Sequence, residues 1–290
     1  MKFTNSKTAR MIENETPYIS FPILEQFPFI KHGFSTRLGG VSQGIYESMN
    51  LSFGRGDDPC NVIQNFERIS HSIGVDAKSL VLSDQVHKTH LRKVTKEDCG
   101  KGITSKRDYS EIDGLYTDED SVTLVTSYAD CVPLLFVDPI KKAIAASHAG
   151  WRGTVGKIGP KTIETMQKEY NSDPKDIVVV IGPSICQDCY EVSSDVANQF
   201  NQVIEEEKRH EIVTRQDQYK QKQETGSKDK YQLNLWEANK YFLMQAGVLE
   251  ENIEIANVCT CCNSDIFHSH RASKGMRGGL CAFIALDKEK

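Results

Sequence analysis

The sequence predicts an α+β fold, a single large domain of mixed β-sheets with flanking helices. Three observations carry that prediction. Apolar runs of strand length, such as residues 134–137, 144–146 and 177–181, are interspersed with stretches of helical period but follow no regular strand–helix–strand alternation. No Gly-x-Gly-x-x-Gly and no Gly-x-x-x-x-Gly-Lys-Ser/Thr pattern follows a strand, which argues against dinucleotide-binding and P-loop folds. At 290 residues, with 39% hydrophobic and 26% charged side chains, the chain has the length and composition to bury a large core.

Taken in order, residues 1–19 read as a flexible N-terminal segment and residues 20–290 as one catalytic domain. Residues 19–30, broken by Pro22 and Pro28, suit edge strands or a hairpin. Residues 32–59 are rich in glycine, serine and asparagine and carry Arg37 and Arg55, a composition for a loop whose backbone approaches something closely. Asp58-Pro59 starts a helix that runs to Gly74, with Val62, Phe66, Ile69 and Ile73 at three-to-four spacing. Residues 79–86 read as a strand that delivers His87. A charged loop over 95–112 leads to Ile112-Asp113-Gly114, a tight turn into the next strand.

Residues 123–153 form the centre of the chain, with Asp130-Cys131 and His148 at the ends of apolar runs. Residues 157–170 fit an amphipathic helix, 177–181 a buried strand, and 193–210 further helix. The polar stretch 210–231 reads as an exposed insertion rather than a lid, because nothing in it can do chemistry. A helix over 233–246 with Gly247 at its C-cap, a strand over 253–258 and a second glycine- and arginine-rich loop complete the chain.

The net charge of −5 exerts no global pull on nucleic acid or anionic membranes, so an anionic substrate needs a local basic pocket. Residues 1–15 lack the apolar core of a secretory signal, and no apolar run is long enough to span a bilayer. Nine cysteines then favour reduced thiols and metal ligation over disulfides. The expectation is a cytoplasmic protein, a monomer or a weak dimer.

Two constructions compete for the central residues. His87, Cys131 and His148 supply two imidazoles and a thiolate, the three protein ligands of a catalytic zinc with an open fourth position. Zinc lowers the pKa of a bound water toward neutrality. Copper accepts the same donors and binds more tightly, so copper in a sample would not establish it as the working metal. Alternatively, Cys131 is a nucleophile and His148 its base, as in an amidase, which leaves His87 without a role. Asp130 is placed to orient a ligand or shuttle a proton. Ser35, Arg37, Asn50, Arg152, Arg271 and Arg277 are the candidates for phosphate or sugar contacts, since guanidinium forks and loop N–H groups can converge on an anion. Cys186 and Cys189, followed about 70 residues later by Cys259, Cys261 and Cys262, suggest either a structural zinc cluster or, given the long gap, reduced structural thiols.

The motifs HGFSTRLGGVS, NLSFGRGDDP, DQVH, DGLYT, ADCVPLLFVDP, ASHAGWRGT, CYEV, LNLWEAN and FHSHR, in this order, resemble the bacterial YfiH/YlmD family of laccase-domain proteins, also called multicopper polyphenol oxidases. The resemblance runs from about residue 20 to the C-terminus. It implies a fold related to bacterial deamidating toxins and a zinc site at His87, Cys131 and His148. It also implies phosphorolysis of adenosine, inosine, guanosine and methylthioadenosine, with adenosine deamination. Eight histidines, with His32, His268 and His270 as possible extra ligands, are few for a true multicopper oxidase, so laccase activity is not expected. FHSHR, the GMRGG loop and the long insertion depart from the family pattern and bear on substrate preference. The expectation is a zinc-dependent purine nucleoside phosphorylase, with an amidase and a non-enzymatic metal-binding module as rivals.

Overall fold

Strand β8 (Val132–Asp138) explains why the central apolar runs show no alternation. Leu134 and Phe136 face one core, Leu135 and Val137 another, and all seven residues are buried. Successive side chains on a strand point to opposite faces, so a strand covered on both sides reads as continuously apolar. The computed structural model describes residues 2–215 and 230–287.

β8 belongs to a six-stranded sheet in the order β14 (Ile253–Ile255), β10 (Val178–Ile181), β8, β9 (Ala143–Ala149), β6 (Gly114–Thr117) and β5 (Leu91–Lys93). The outer pairs β10–β14 and β5–β6 are parallel and the inner pairs antiparallel. A second six-stranded sheet runs β1 (Arg10–Ile12), β2 (Tyr18–Ser20), β3 (Ile30–Ser35), β15 (Leu280–Leu286), β7 (Thr123–Tyr128) and β4 (Leu80–Leu82). The two sheets pack face to face through Phe34, Leu124 and Ile284 on one side and Leu135, Ile144 and Val180 on the other. Helices cover both outer faces. Helix α2 (Pro59–Ile73) lays Val62, Phe66 and Ile69 on Val125 and Phe283. Helices α4 (Ile158–Tyr170), α5 (Ser194–Val203) and α7 (Leu235–Gln245) set Ile163, Phe200 and Leu243 against Leu134, Phe136 and Val179. The layers are helix, sheet, sheet, helix, the α+β class expected. Among the described residues no helix is long and apolar enough to cross a membrane.

The boundaries of α2 were legible because both caps are local: Asp58 accepts from the Cys60 N–H, and Gly74 ends the helix at φ +81°. Other expectations need correction. The N-terminal segment is built into a sheet: β1 pairs antiparallel with β2, and Ala9 is fully buried. The start of the glycine-rich segment is strand β3, not loop. A Cβ on Gly33 would lie 2.8 Å from Tyr18 and 2.9 Å from Ile73, so glycine there lets α2 sit on the sheet. His87 lies beyond β4 on a loop, because the segment's N–H groups bond to a side chain instead of a ladder. The ends of the 210–231 stretch are structured. Helix α6 (Glu206–Ile212) leads into β12 (Val213–Arg215), which joins β13 (Lys230–Leu233) and β11 (Glu191–Ser193) in a small antiparallel sheet. Residues 216–229 lie outside the described residues. Two short helices, α1 (Pro22–Glu25) and α3 (Trp151–Val155), complete the set.

Candidate active site

The β8–β9 register builds half of the site. Pro133 pairs with His148 and Val132 with Ala149, so Cys131, just before β8, sits beside the end of β9. His87 comes from the loop after β4, in a left-handed conformation at φ +63°. The ligand atoms of His87, Cys131 and His148 all lie within 4.8 Å of one another. The two imidazoles meet edge to face at 4.7 Å.

One carboxylate holds both histidines. Asp113, fully buried just before β6, accepts the backbone N–H groups of Val86, His87 and Lys88 at 3.1, 2.9 and 2.9 Å. Its Oδ1 also lies 2.9 Å from His148 Nδ1. Burial would raise the Asp113 pKa, but His148 and the backbone donors outweigh it and hold the carboxyl below its usual range. An ionised carboxylate only accepts, so His148 carries its proton on Nδ1 and leaves Nε2 for Cys131 or a metal. Burial alone would push the Cys131 thiol up, but the imidazoles of His148 and His87 bring it down to about 6. Burial would lower His148, and the Cys131 sulfur and Asp113 raise it instead, to about 9. The pair is therefore biased toward thiolate and imidazolium.

The donor set fits a metal ion. Two nitrogens and a sulfur converge, one imidazole is held in the required tautomer, and the backbone leaves room. At Gly150 a Cβ would fall 2.7 Å from His87 Nδ1 and 3.2 Å from Cys131 Sγ, so a side chain would crowd the ligand atoms.

Two cavities meet at this cluster. One, of about 350 Å³, is lined by Asp130, Trp151, Tyr190, His270 and Arg271 together with Arg55, His87, Cys131 and Arg277. The other, of about 280 Å³, shares those last four residues and adds Phe53, Ser83, Gln85, Arg107 and Ser127. Arg277 is held at Nη1 by the Gly278 carbonyl, while its buried Nε has no partner. Burial first, and the Arg55 charge second, lower its pKa to about 10.

Residues 31–287 match the family described as multi-copper polyphenol oxidoreductase laccase. The chain belongs to that family. It is 36% identical over 258 residues to a protein named purine nucleoside phosphorylase YlmD from Bacillus subtilis (strain 168), covering 88% of this chain and 87% of the relative. The protein of the same name from Geobacillus stearothermophilus is 36% identical over 261 residues, 89% of this chain and 90% of the relative. Among solved structures, Bacillus licheniformis YfiH superimposes with a TM-score of 0.86 at 30% identity, covering 96% and 98% of the two chains. YlmD from Geobacillus stearothermophilus does so with a TM-score of 0.83 at 33% identity, covering 95% and 98%.

Within this laccase-domain family fold, the expected substrate residues divide. Arg277 lines both cavities, as does Arg55, and Arg271 lines the larger one. Arg37 does not: its guanidinium is spent on the carbonyls of Glu47 and Ser264. Ser35 is buried in β3, where its hydroxyl accepts from the Cys281 N–H. Asn50 is buried too, but it accepts from the Gly279 N–H and donates to Asp57, so it ties together the two arginine-bearing loops. Arg152 is exposed, with its guanidinium 4.2 Å over the Trp151 ring.

Asp130 lines the larger cavity, yet its oxygens are taken by Thr260, Ser269 and the Arg271 N–H. The carboxylate in contact with His148 is Asp113. The signal for Asp113 was present in the sequence, an acid between Ile112 and Leu115 at a strand start, but it read as turn chemistry. His32 lies away from the cluster, its Nε2 accepting from the Phe21 N–H. Among the described residues, the groups able to hold a metal are the His87–Cys131–His148 cluster and a set of four cysteines.

Proposed function

We propose that this chain is a zinc-dependent purine nucleoside phosphorylase. It cleaves adenosine, inosine, guanosine and methylthioadenosine with phosphate to free base and the corresponding sugar 1-phosphate, and it deaminates adenosine at the same site. The observation that carries this reading is the pair Arg55 and Arg277, which line both cavities that meet at His87 and Cys131. Neighbouring guanidiniums repel, and a phosphate between them would satisfy both and the free Arg277 Nε. The relatives named purine nucleoside phosphorylase support purine nucleosides as the substrate class.

Arg55 and Arg277 hold phosphate with one oxygen directed at C1′ of the sugar. As that oxygen bonds to C1′, the C1′–N9 bond breaks and its electron pair enters the purine; the proton that hydrogen phosphate sheds in becoming the sugar 1-phosphate goes to the ring nitrogen and gives the neutral base. Trp151 and Tyr190 offer flat walls for the purine, and Arg271 adds positive charge on that side. Asp113 keeps His148 Nδ1 protonated. His87, Cys131 and His148 would hold zinc, which when bound supplies Lewis acidity at the substrate.

The test is adenosine turnover by metal-analysed protein with and without phosphate, separating adenine, inosine and hypoxanthine. Adenine should appear only with phosphate and vanish in His148→Ala. Inosine alone leaves only the deaminase. No product from zinc-loaded protein would sink both activities.

One observation favours a second reading. Cys131, His148 and Asp113 form a nucleophile, base and orienting carboxylate, the arrangement of a Cys–His–Asp amidase. That enzyme would survive chelation and die with iodoacetamide, whereas the zinc enzyme dies with chelation.

A further inference from the structure

Four cysteines remote in sequence from the catalytic cluster meet where two loops leave one end of a sheet. β10 and β14 are parallel neighbours, with Val179 beside Ile253 and Ile181 beside Ile255. Cys186 and Cys189 follow β10, and Cys259 and Cys262 follow β14. A bridge locks the loops together: Ser184 N–H donates to the Val258 carbonyl, and Thr260 N–H to the Ser184 carbonyl, each at 3.1 Å. The sulfurs of all four cysteines lie within 4.8 Å of one another.

Their geometry suits a metal and not a disulfide. Cys189 and Cys262 sulfurs are 3.5 Å apart, and those of Cys186 and Cys262 3.9 Å. Four sulfurs at about 2.3 Å from a tetrahedral zinc would be separated by roughly 3.8 Å. A disulfide requires about 2.05 Å. In addition, the Cys259 sulfur accepts two backbone N–H groups, from Cys186 and from Cys262, both at 3.3 Å. Donors aimed at sulfur favour the thiolate that a metal binds. Each loop contributes a Cys-x-x-Cys pair, and Cys261, one of the five cysteines grouped by sequence, stays outside.

We propose that Cys186, Cys189, Cys259 and Cys262 form a structural zinc centre, separate from His87, Cys131 and His148. Binding forms four zinc–sulfur bonds and releases the thiol protons to solvent; no oxidant or reductant takes part. The centre acts as a clamp on one wall of the catalytic cavity. Arg271 donates to the carbonyls of Cys189 and Glu191 at 3.2 and 3.0 Å, and its guanidinium lies 5.5 Å over the Tyr190 ring. Thr260, between two of the loop's cysteines, donates to Asp130 at 2.6 Å. Tyr190, Arg271 and Asp130 are thereby tied to the zinc loops, which makes the four cysteines positioning residues.

The experiment counts metal in Cys131→Ala and His87→Ala proteins, which keep all four cysteines, after production with zinc and desalting. One zinc per chain should remain, and cobalt in its place should give the strong sulfur-to-metal absorption of a tetrathiolate site. Zinc-free protein whose thiols all titrate as free, a disulfide among these cysteines, or iron in place of zinc overturns the proposal. Cys262→Ser in an otherwise unaltered chain should lose one zinc of two and raise the nucleoside KM several-fold while leaving kcat within about twofold. Unchanged zinc content in that variant also overturns it. The metal count does not depend on which reaction the enzyme catalyses, so it stands apart from the phosphorylase test.

Discussion

Asp113→Asn is the most informative single change. The carboxylate accepts four hydrogen bonds, three from the backbone of the His87 loop and one from His148 Nδ1. An asparagine of the same shape keeps one accepting oxygen and turns an NH₂ group toward donors. At least two donors, buried or part-buried, then lose their acceptor, at about 1–3 kcal/mol each. The expected loss of folding stability is about 2–6 kcal/mol, read by urea unfolding. The larger effect falls on the site. Without an acceptor at Nδ1, His148 can place its proton on Nε2, the atom needed for metal, while the His87 loop loosens. Removal of such a supporting partner typically costs about 10–100-fold in metal affinity or activity. Zinc affinity, measured by competition with a chromophoric chelator, and kcat/KM should fall together by that factor. A variant that binds zinc within about twofold of the parent protein and turns over normally would refute the assignment of Asp113 as organiser.

Other perturbations separate the remaining roles. In chelator-treated protein, alkylation of Cys131 should rise as pH increases through about 6, because the thiolate forms there and not near the ordinary cysteine value. A midpoint above pH 8 would show that the imidazoles do not stabilise it. Arg277→Met should raise the phosphate KM by roughly 10–100-fold, the equivalent of one charge-assisted contact of about 1.5–3 kcal/mol. Arg37→Met should reduce stability and leave the phosphate KM unchanged, since its donors serve Glu47 and Ser264; equal effects on phosphate binding would contradict that separation. Gly150→Ala should release metal from a folded protein, because its Cβ would lie 2.7 Å from His87 Nδ1; retained metal content would show that His87 can move aside at little cost.

The parts of the molecule that were legible in the sequence rest on neighbours along the chain. Helix α2 carries its cap at Asp58, its apolar stripe and its terminal Gly74 within sixteen consecutive residues after the cap. Apolar runs such as 134–137 announced strands, and the structure covers them on both faces. The residue types at His87, Cys131 and His148 named the available chemistry.

What only the tertiary structure decided is partnership across distance. Asp113 reaches His148 across 35 residues, and Arg37 reaches Ser264 across 227. No local spacing distinguishes an arginine spent on carbonyls from one left facing a cavity. The cysteines show the same limit. Sequence grouped five thiols, and the packing of the loops after β10 and β14 selected four. Side-chain chemistry is written residue by residue, but a hydrogen bond or a shared ligand exists only where folding brings two distant residues within about 3–4 Å of each other.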